Sequence, residues 1–284
     1  MSHPAKYLRP PDLQQAIQAL ADEDLTIAAG CTDLFPATDR KSLQGPVLDI
    51  TAIPALRGIR QDDEGTQIGA TTTWRDIATA DLPPSLFGLQ LAAREVGALQ
   101  IQNRGTIAGN LCNASPAADG VPPLLTLDAE VGLCSIRGRR QIPLAQFITG
   151  PRQTERHHDE LVTHIFIPKS ALQGAGSFVK LGARKYLVIS IVMAATRIQV
   201  ADGLILSAAI SVGSCGPVAT RLPALEAHLT GRRVSDASIP PALVAETLHP
   251  IDDIRATAAY RIDAATVLLQ RMVGGLRASS GLVA

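Results

Sequence analysis

Thr106, Asn110, Asn113, Ser115 and Asp119 bring hydroxyl, amide and carboxylate groups together in one weakly charged stretch, Arg104 to Leu125, which reads RGTIAGNLCNASPAADGVPPLL. Gly105, Gly109 and Gly120 within it permit tight turns or close approach to a ligand. A second stretch, Ala28-Ala29-Gly30-Cys31-Thr32-Asp33-Leu34, has the same character. Neither Ala28–Leu34 nor Thr106–Asp119 contains Lys or Arg, so a pyrophosphate between them would rest on backbone N–H groups, as in an anion nest. Asp33 and Asp119 suit ribose or ribityl hydroxyls as acceptors. Lys180 follows on a strand-like segment, either facing a cofactor ring or solvated at a sheet edge. This chemistry is the holding of a polar cofactor, with no bond broken by the chain itself. On composition alone, an ordinary buried turn region is the competing reading of Arg104–Leu125.

Other chemistries find little support. No Ser-His-Asp or Cys-His set is visible, and no catalytic residue is expected. Gly174-Ala175-Gly176 opens a dinucleotide fingerprint, but Val179 takes its third glycine position and a strand follows. His157-His158 has no ligand partner at metal spacing and reads as a solvated loop. Asn113-Ala114-Ser115 fits a glycosylation sequon but is followed by Pro116. The four cysteines, Cys31, Cys112, Cys134 and Cys215, form no CxxC pair, so no zinc or iron–sulfur site is expected, and they read as small buried residues. Lys plus Arg equals Asp plus Glu at 26 each, which gives no electrostatic argument for nucleic acid. The N-terminus lacks an apolar signal region, and the longest apolar run, Tyr186 to Ala195, is too short to span a membrane. A cytoplasmic protein is expected.

The elements that position these groups follow from periodicity. Asp12 precedes Leu13, Ile17 and Leu20 on one helical face, and Leu25–Ala29 and Val47–Ile50 read as strands. Thr66–Ala70 reads as a strand, and Thr73 or Asp76 opens a short helix. Ser85 to Gln100 reads as one helix with Ser85 as its N-cap. Pro122-Pro123 suits a helix first turn. Glu130–Ile136 and Leu161–Ile167 are strands, and Arg137-Gly138-Arg139-Arg140 is a solvated hairpin tip. After the boundary at Gln173–Gly176, Ser177–Leu181, Leu187–Val200 and Leu204–Ser214 predict a three-stranded antiparallel sheet. Leu222–Leu229 and Ala256–Leu276 predict helices. The class is α+β.

At this point the chain resembles the FAD-binding medium subunits of the molybdenum hydroxylases, the group of xanthine and carbon monoxide dehydrogenases. The first family loop, AGGTDL, corresponds to Ala28–Leu34. The second, TIGGN followed by ASPxxD, corresponds to Thr106-Ile107-Ala108-Gly109-Asn110 and Ala114-Ser115-Pro116-Ala117-Ala118-Asp119. Leu48-Asp49-Ile50, Ile68-Gly69-Ala70-Thr71, Phe178–Arg184, Ser211–Arg221 and Ala258-Ala259-Tyr260-Arg261 extend the likeness over nearly the whole chain. Ala29, Cys31 and Ala108 depart from the pattern: Ala29 and Cys31 stand for a glycine and a variable polar residue, and Ala108 for the first glycine of the GG pair.

The resemblance implies a vanillyl-alcohol-oxidase (PCMH) type two-part FAD fold plus a C-terminal α+β domain. Its divisions would be residues 1–55, 56–172 and 173–284. Carried over, Ile27, Ala28, Ala29, Gly30, Cys31, Thr32, Asp33 and Leu34 line the pyrophosphate. Thr106, Gly109, Asn110, Ser115 and Asp119 contact pyrophosphate and ribityl groups, Val162 packs near adenine, and Lys180 sits by the flavin. The implied function is electron transfer through FAD within a molybdenum-containing complex. An iron–sulfur small subunit with [2Fe-2S] clusters and a large subunit with the molybdenum cofactor would be partner chains, in a dimer of heterotrimers. NAD or another acceptor would receive the electrons. A stand-alone FAD reductase on the same fold and a scaffold subunit without flavin are the alternatives.

Overall fold

A computed structural model describes residues 6–38, 43, 45–184 and 189–280. Strand β1 (Tyr7–Leu8), helix α1 (Leu13–Asp22), and strands β2 (Thr26–Ala28) and β3 (Val47–Asp49) come first. The strands form a parallel sheet in the order β1-β3-β2. Asp12 caps α1 by accepting from the Gln15 N–H at 2.9 Å. The helix buries Ala16, Ile17 and Leu20 against Leu48, Ile50 and Leu56, and the same cluster takes in Cys134 and Leu161 from the next sheet.

That next sheet is antiparallel. Strands β4 (Ile59–Gln61) and β5 (Gly65–Gly69) enter it, followed by helices α2 (Trp74–Thr79), α3 (Phe87–Glu95), α4 (Leu99–Gln102), α5 (Ile107–Asn113) and α6 (Val121–Thr126). Strands β6 (Glu130–Ser135) and β7 (Gly138–Pro143), helix α7 (Leu144–Phe147), the small hairpin β8 (Ile148–Gly150) and β9 (Gln153–Thr154), and strand β10 (Leu161–Pro168) complete the region. The sheet order is β4-β5-β10-β6-β7. Ile165 and Ile167 of β10 and Val131 and Leu133 of β6 face Ile77, Leu89, Ile107 and Leu124 from the helices.

The third layer is the sheet β11 (Ala175–Leu181), β12 (Val192–Ala201), β13 (Leu204–Gly213) and β14 (Thr220–Arg221), in that order. Helices α8 (Pro223–Leu229), α9 (Pro241–Ala245) and α10 (Ala258–Ser280) follow. Asp202 and Gly203, with φ of 50° and 71°, make the two-residue turn that joins β12 to β13. One face packs Val192, Ala194, Ile210 and Val212 against Leu225, Leu229 and Leu269. The other face turns Phe178, Met193 and Ala195 toward Ala92 of α3. Arg197 and Arg221 tie the two regions together. They donate at the end of α6 to the Thr126 and Leu125 carbonyls at 2.7 and 3.0 Å, the second of which also accepts from the Asp128 N–H. Both also bond Asp128, at 3.2 and 2.8 Å.

Several expectations are corrected. Helix α5 occupies the middle of Arg104–Leu125, where no helix was expected, while α6 starts at Val121 as the Pro122-Pro123 signal predicts. The expected helix over Ser85–Gln100 is broken. Ser85 lies inside a short 3-10 turn with its hydroxyl buried and unpartnered, α3 starts at Phe87, and Gly97 at φ 56° ends the run before α4. The C-terminal sheet has a fourth strand, β14, too short to show a period of two. Leu187, the expected start of β12, lies outside the described residues, and the strand is described from Val192. The basic run after β6 is exposed from Arg137 to Arg139, as a hairpin tip should be, but Arg137 also bonds buried Asp159, and Arg140 Nε donates to Glu160 Oε1 at 2.7 Å.

Candidate functional site

A cleft of about 840 Å³ runs between the parallel sheet, α4 and α5, the β9–β10 region and β11. That volume lies at the upper end of the ~300–1,000 Å³ typical of small-molecule sites, so it suits a dinucleotide better than a lone phosphate. Of the expected residues, Ile27, Ala29 to Leu34, Thr106, Gly109, Asn110, Ser115, Asp119, Val162 and Lys180 line it. Ala28 does not. It pairs with Asp49 in the parallel ladder and is 5% exposed, because successive side chains of β2 point to opposite faces.

The first stretch leaves β2 and turns through Cys31 at φ 60°. Counting back from Thr32-Asp33-Leu34, Cys31 holds the place of the second glycine in AGGTDL, which is the left-handed position. The departure with a backbone cost is therefore Cys31, and Ala29 is ordinary backbone. A left-handed conformation costs an L-residue about 1–2 kcal/mol, partly offset by the flexibility that glycine brings to the unfolded chain. Cys31→Gly is thus expected to raise stability by about 1 kcal/mol, read from the urea midpoint. A loss of stability would show that the thiol contact with the Ala29 carbonyl, at 3.5 Å, outweighs the strain.

The two stretches differ in what they offer an anion. Among the described residues, the N–H groups of Gly30, Cys31, Thr32, Asp33 and Leu34 donate to no acceptor. Most of those of the second stretch are occupied, and those of Thr106, Ser115 and Asp119 are the exceptions among the described residues. Ile107 and Ala108 donate to the Thr72 and Ala70 carbonyls at 3.0 and 3.2 Å. Gly109 donates to Thr106 Oγ1 at 3.2 Å, and Asn110 to the Thr106 carbonyl at 3.0 Å. The second stretch thus offers an anion fewer N–H groups than the first, because Thr106 caps α5 and the Thr72 and Ala70 carbonyls take the first two N–H groups of the helix. What α5 adds is the Asn110 side chain, whose Oδ1 is buried without a partner. That oxygen is covered by protein even in the empty cleft, so a ligand donor meets it only when the amide turns outward.

Asp119 and Lys180, placed independently on the cofactor by their motifs, meet each other. Lys180 Nζ donates to Asp119 Oδ2 at 2.7 Å, and the two side chains are 8% and 9% exposed. Ser190 Oγ donates to Asp119 Oδ1 at 3.1 Å, and Lys180 also reaches the Glu95 carbonyl at 3.3 Å. Burial lifts the Asp119 carboxyl above its ordinary range, while Lys180 and Ser190 pull the other way. Lys180 is not a solvated edge lysine, because α3 covers its strand. Trp74, 1% exposed, also lines the cleft and stands against Gly120.

Residues missed in sequence complete the wall: Trp74, Cys112, Arg152, Arg156 and Ile189. The two stretches contain no Lys or Arg, as noted, but Arg152 and Arg156, from the β8–β9 hairpin and its sequel, add cations to the cleft beside the expected Lys180. The glycosylation motif drew attention to Asn113, and no signal pointed to its partner Arg152. Cys31 and Cys112 are not buried core residues, although Cys134 and Cys215 are. The protein walls around Cys112 push its thiol up to about 11, and burial raises that of Cys31, so neither offers a thiolate at neutral pH. Among the described residues no group of three or more His, Cys, Asp or Glu side chains is placed to hold a metal.

A small parallel sheet and an antiparallel sheet that close on one cleft define the class of two-part FAD-binding flavoproteins, and the unpartnered Asn110 acceptor and open N–H row fit such a ligand. The chain belongs to the family of FAD binding domains in molybdopterin dehydrogenases, whose pattern residues 3–170 match. Residues 177–276 match the CO dehydrogenase flavoprotein C-terminal domain. It is a FAD-binding oxidoreductase subunit of the medium-subunit type found in molybdenum hydroxylase complexes. The nicotinate dehydrogenase FAD-subunit of Eubacterium barkeri is 35% identical over 218 residues, covering 74% of each chain. A chain of quinoline 2-oxidoreductase from Pseudomonas putida 86 superposes with a TM-score of 0.86 at 27% identity, covering 99% of both chains. Carbon monoxide dehydrogenase from Hydrogenophaga pseudoflava gives 0.85 at 26% identity, covering 95% of this chain and 96% of that one. No helix among the described residues is long and apolar enough to cross a membrane.

Proposed function

We propose that the chain passes electrons from the [2Fe-2S] clusters of an iron–sulfur partner, through its FAD, to NAD or another acceptor. A molybdenum-cofactor subunit would complete a dimer of heterotrimers in the cytoplasm. The observation that carries this reading is the row of backbone N–H groups from Gly30 to Leu34, which donate to no acceptor among the described residues and line one cleft with Asn110, Ser115, Asp119 and Lys180. In this reading Gly30 to Leu34 seat the pyrophosphate, with Ile27 and Ala29 beside them. Asn110 and Ser115 orient ribityl groups, Thr106 and Gly109 hold the start of α5, and Val162 packs at the adenine. The Lys180–Asp119 pair lies at the flavin. Bound FAD supplies a store of two electrons that fills one at a time, and the protein supplies position and electrostatics.

Residues 1–55 and 56–172 would be the two parts of the flavin fold, and 173–284 the unit that brings Lys180 and Ser190 to it. The test is direct. The purified full-length chain is expected to carry or take up FAD stoichiometrically, with a flavin absorbance band, and to copurify with iron–sulfur and molybdenum subunits when coexpressed with its gene neighbours. A chain that takes up no FAD at any concentration sinks the flavin reading. FAD uptake without partner binding, together with reduction of a small substrate, would replace it by a stand-alone reductase.

A further inference from the structure

The loops that seat the dinucleotide contribute no cation, although a pyrophosphate carries two negative charges. The fold delivers one from elsewhere. Arg152 lines the cleft from the turn of the β8–β9 hairpin. It is one of six non-glycine residues with positive φ among those described, at 61°. Its backbone N–H donates to the carbonyl of Ala114 at 2.8 Å, and Ala114 is itself left-handed at φ 44°. Its Nη1 donates to the Asn113 carbonyl at 3.2 Å and also bonds the Asn113 side-chain oxygen.

Two left-handed residues bonded to each other, one ending α5 and one bearing the arginine, fix that side chain on the cleft wall. Non-glycine residues in this conformation persist where surrounding contacts hold them, and they gather at ligand sites. All the anchoring contacts use one terminal nitrogen. Nε and Nη2 donate to nothing among the described residues, and these two form the fork that matches two phosphate oxygens. Arg156, which also lines the cleft, likewise bonds through Nη1 alone among the described residues, but it lacks the left-handed backbone and the bond to Ala114 that fix Arg152. The Arg156 Nη1 is occupied by the carbonyls of His157, His158 and Glu160 at 2.9, 3.3 and 2.8 Å, so it braces the loop before β10.

We propose that Arg152 is the phosphate-binding cation of this cleft, contacting the pyrophosphate of the dinucleotide opposite the N–H row of Gly30–Leu34, with Asn113 as the residue that positions it. This rests on the flavin reading, and the test separates the two. The full-length apo chain is titrated with FAD, ADP and riboflavin at two salt concentrations. Wild type should bind FAD and ADP with affinities that fall as salt rises, and riboflavin with none of that dependence. Arg152→Ala should weaken FAD and ADP by about tenfold, flatten their salt dependence and leave riboflavin unchanged. Arg152→Lys, which keeps the charge without the fork, should recover part of the loss.

Wild-type binding of FAD together with an Arg152→Ala variant of equal FAD and ADP affinity overturns the role of Arg152 and leaves the flavin reading standing. An equal loss for riboflavin overturns it too, since a merely structural residue would act that way. If Arg152→Ala fails to fold, Arg152→Lys decides: unchanged FAD and ADP affinity overturns the role of the fork, and a loss confined to those two ligands supports it. Absence of FAD binding in wild type is the separate failure of the flavin reading.

Discussion

Lys180→Ala is expected to lower the unfolding free energy of the flavin-free chain by about 3–5 kcal/mol, the usual consequence of leaving one member of a buried ion pair alone. The partner left behind is Asp119, 9% exposed, with only the Ser190 hydroxyl still donating to it. The double variant Lys180→Met with Asp119→Leu should be less destabilised than the sum of its single changes, because it removes both charges and retains apolar volume. Urea melts of wild type, Lys180→Met, Asp119→Leu and the double variant give the coupling directly. A Lys180→Ala cost below about 1 kcal/mol, or strict additivity in the cycle, would mean that water reaches the pair and that it behaves like a surface bridge. The same variants bear on function. Asp119 precedes α6 and Lys180 lies on β11, so the pair sets how the third sheet sits against the cleft. Both single changes are expected to weaken FAD binding, and the double variant is expected to recover stability without recovering affinity.

Gly30→Ala should have the second large effect. A Cβ on Gly30 would lie 2.0 Å from the Arg104 carbonyl oxygen and 2.7 Å from its carbon. Both contacts are with backbone, so no side chain can swing away. The two stretches must move apart, and the cleft between them widens with the open N–H row displaced. A loss of FAD binding of at least tenfold, with destabilisation of a few kcal/mol, is expected from such overpacking. Gly109→Ala is the informative comparison. Its Cβ would meet only Thr106 Oγ1, at 2.8 Å, and a hydroxyl can rotate at the expense of the α5 cap, about 1 kcal/mol. If Gly30→Ala binds FAD as wild type does, the close approach of the two stretches has no part in holding the ligand.

Much of the fold was legible because its signals are local. Asp12 ahead of Leu13 marked α1, Thr73 and Asp76 formed the capping box of α2, and Ala201-Asp202-Gly203 marked the hairpin of β12 and β13. The errors also have local causes. Small residues in Arg104–Leu125 read as a loop, yet Thr106 caps a helix there, and burial of Ile107 and Leu111 outweighs the weak propensity of Gly109 and Asn110. Ser85 has the right side chain for an N-cap, but Pro84 sets a 3-10 turn through it and moves the helix start beyond its reach.

The chain's own order of residues determined the α+β class, the two Gly-containing stretches and the polar groups offered to a cofactor. Those depend on residue type and near-neighbour spacing, which a sequence displays in full. The tertiary structure alone decided which groups remain for a ligand. Asp119 and Lys180 are 61 residues apart, and Arg152 lies 39 from Asn113, yet folding pairs them. The N–H groups of Ile107 to Asn110 disappear into bonds with Thr72, Ala70 and Thr106, while those of Gly30 to Leu34 stay open among the described residues. A hydrogen-bonding group binds a ligand only if the fold has not already satisfied it, and that accounting depends on contacts made across the whole chain.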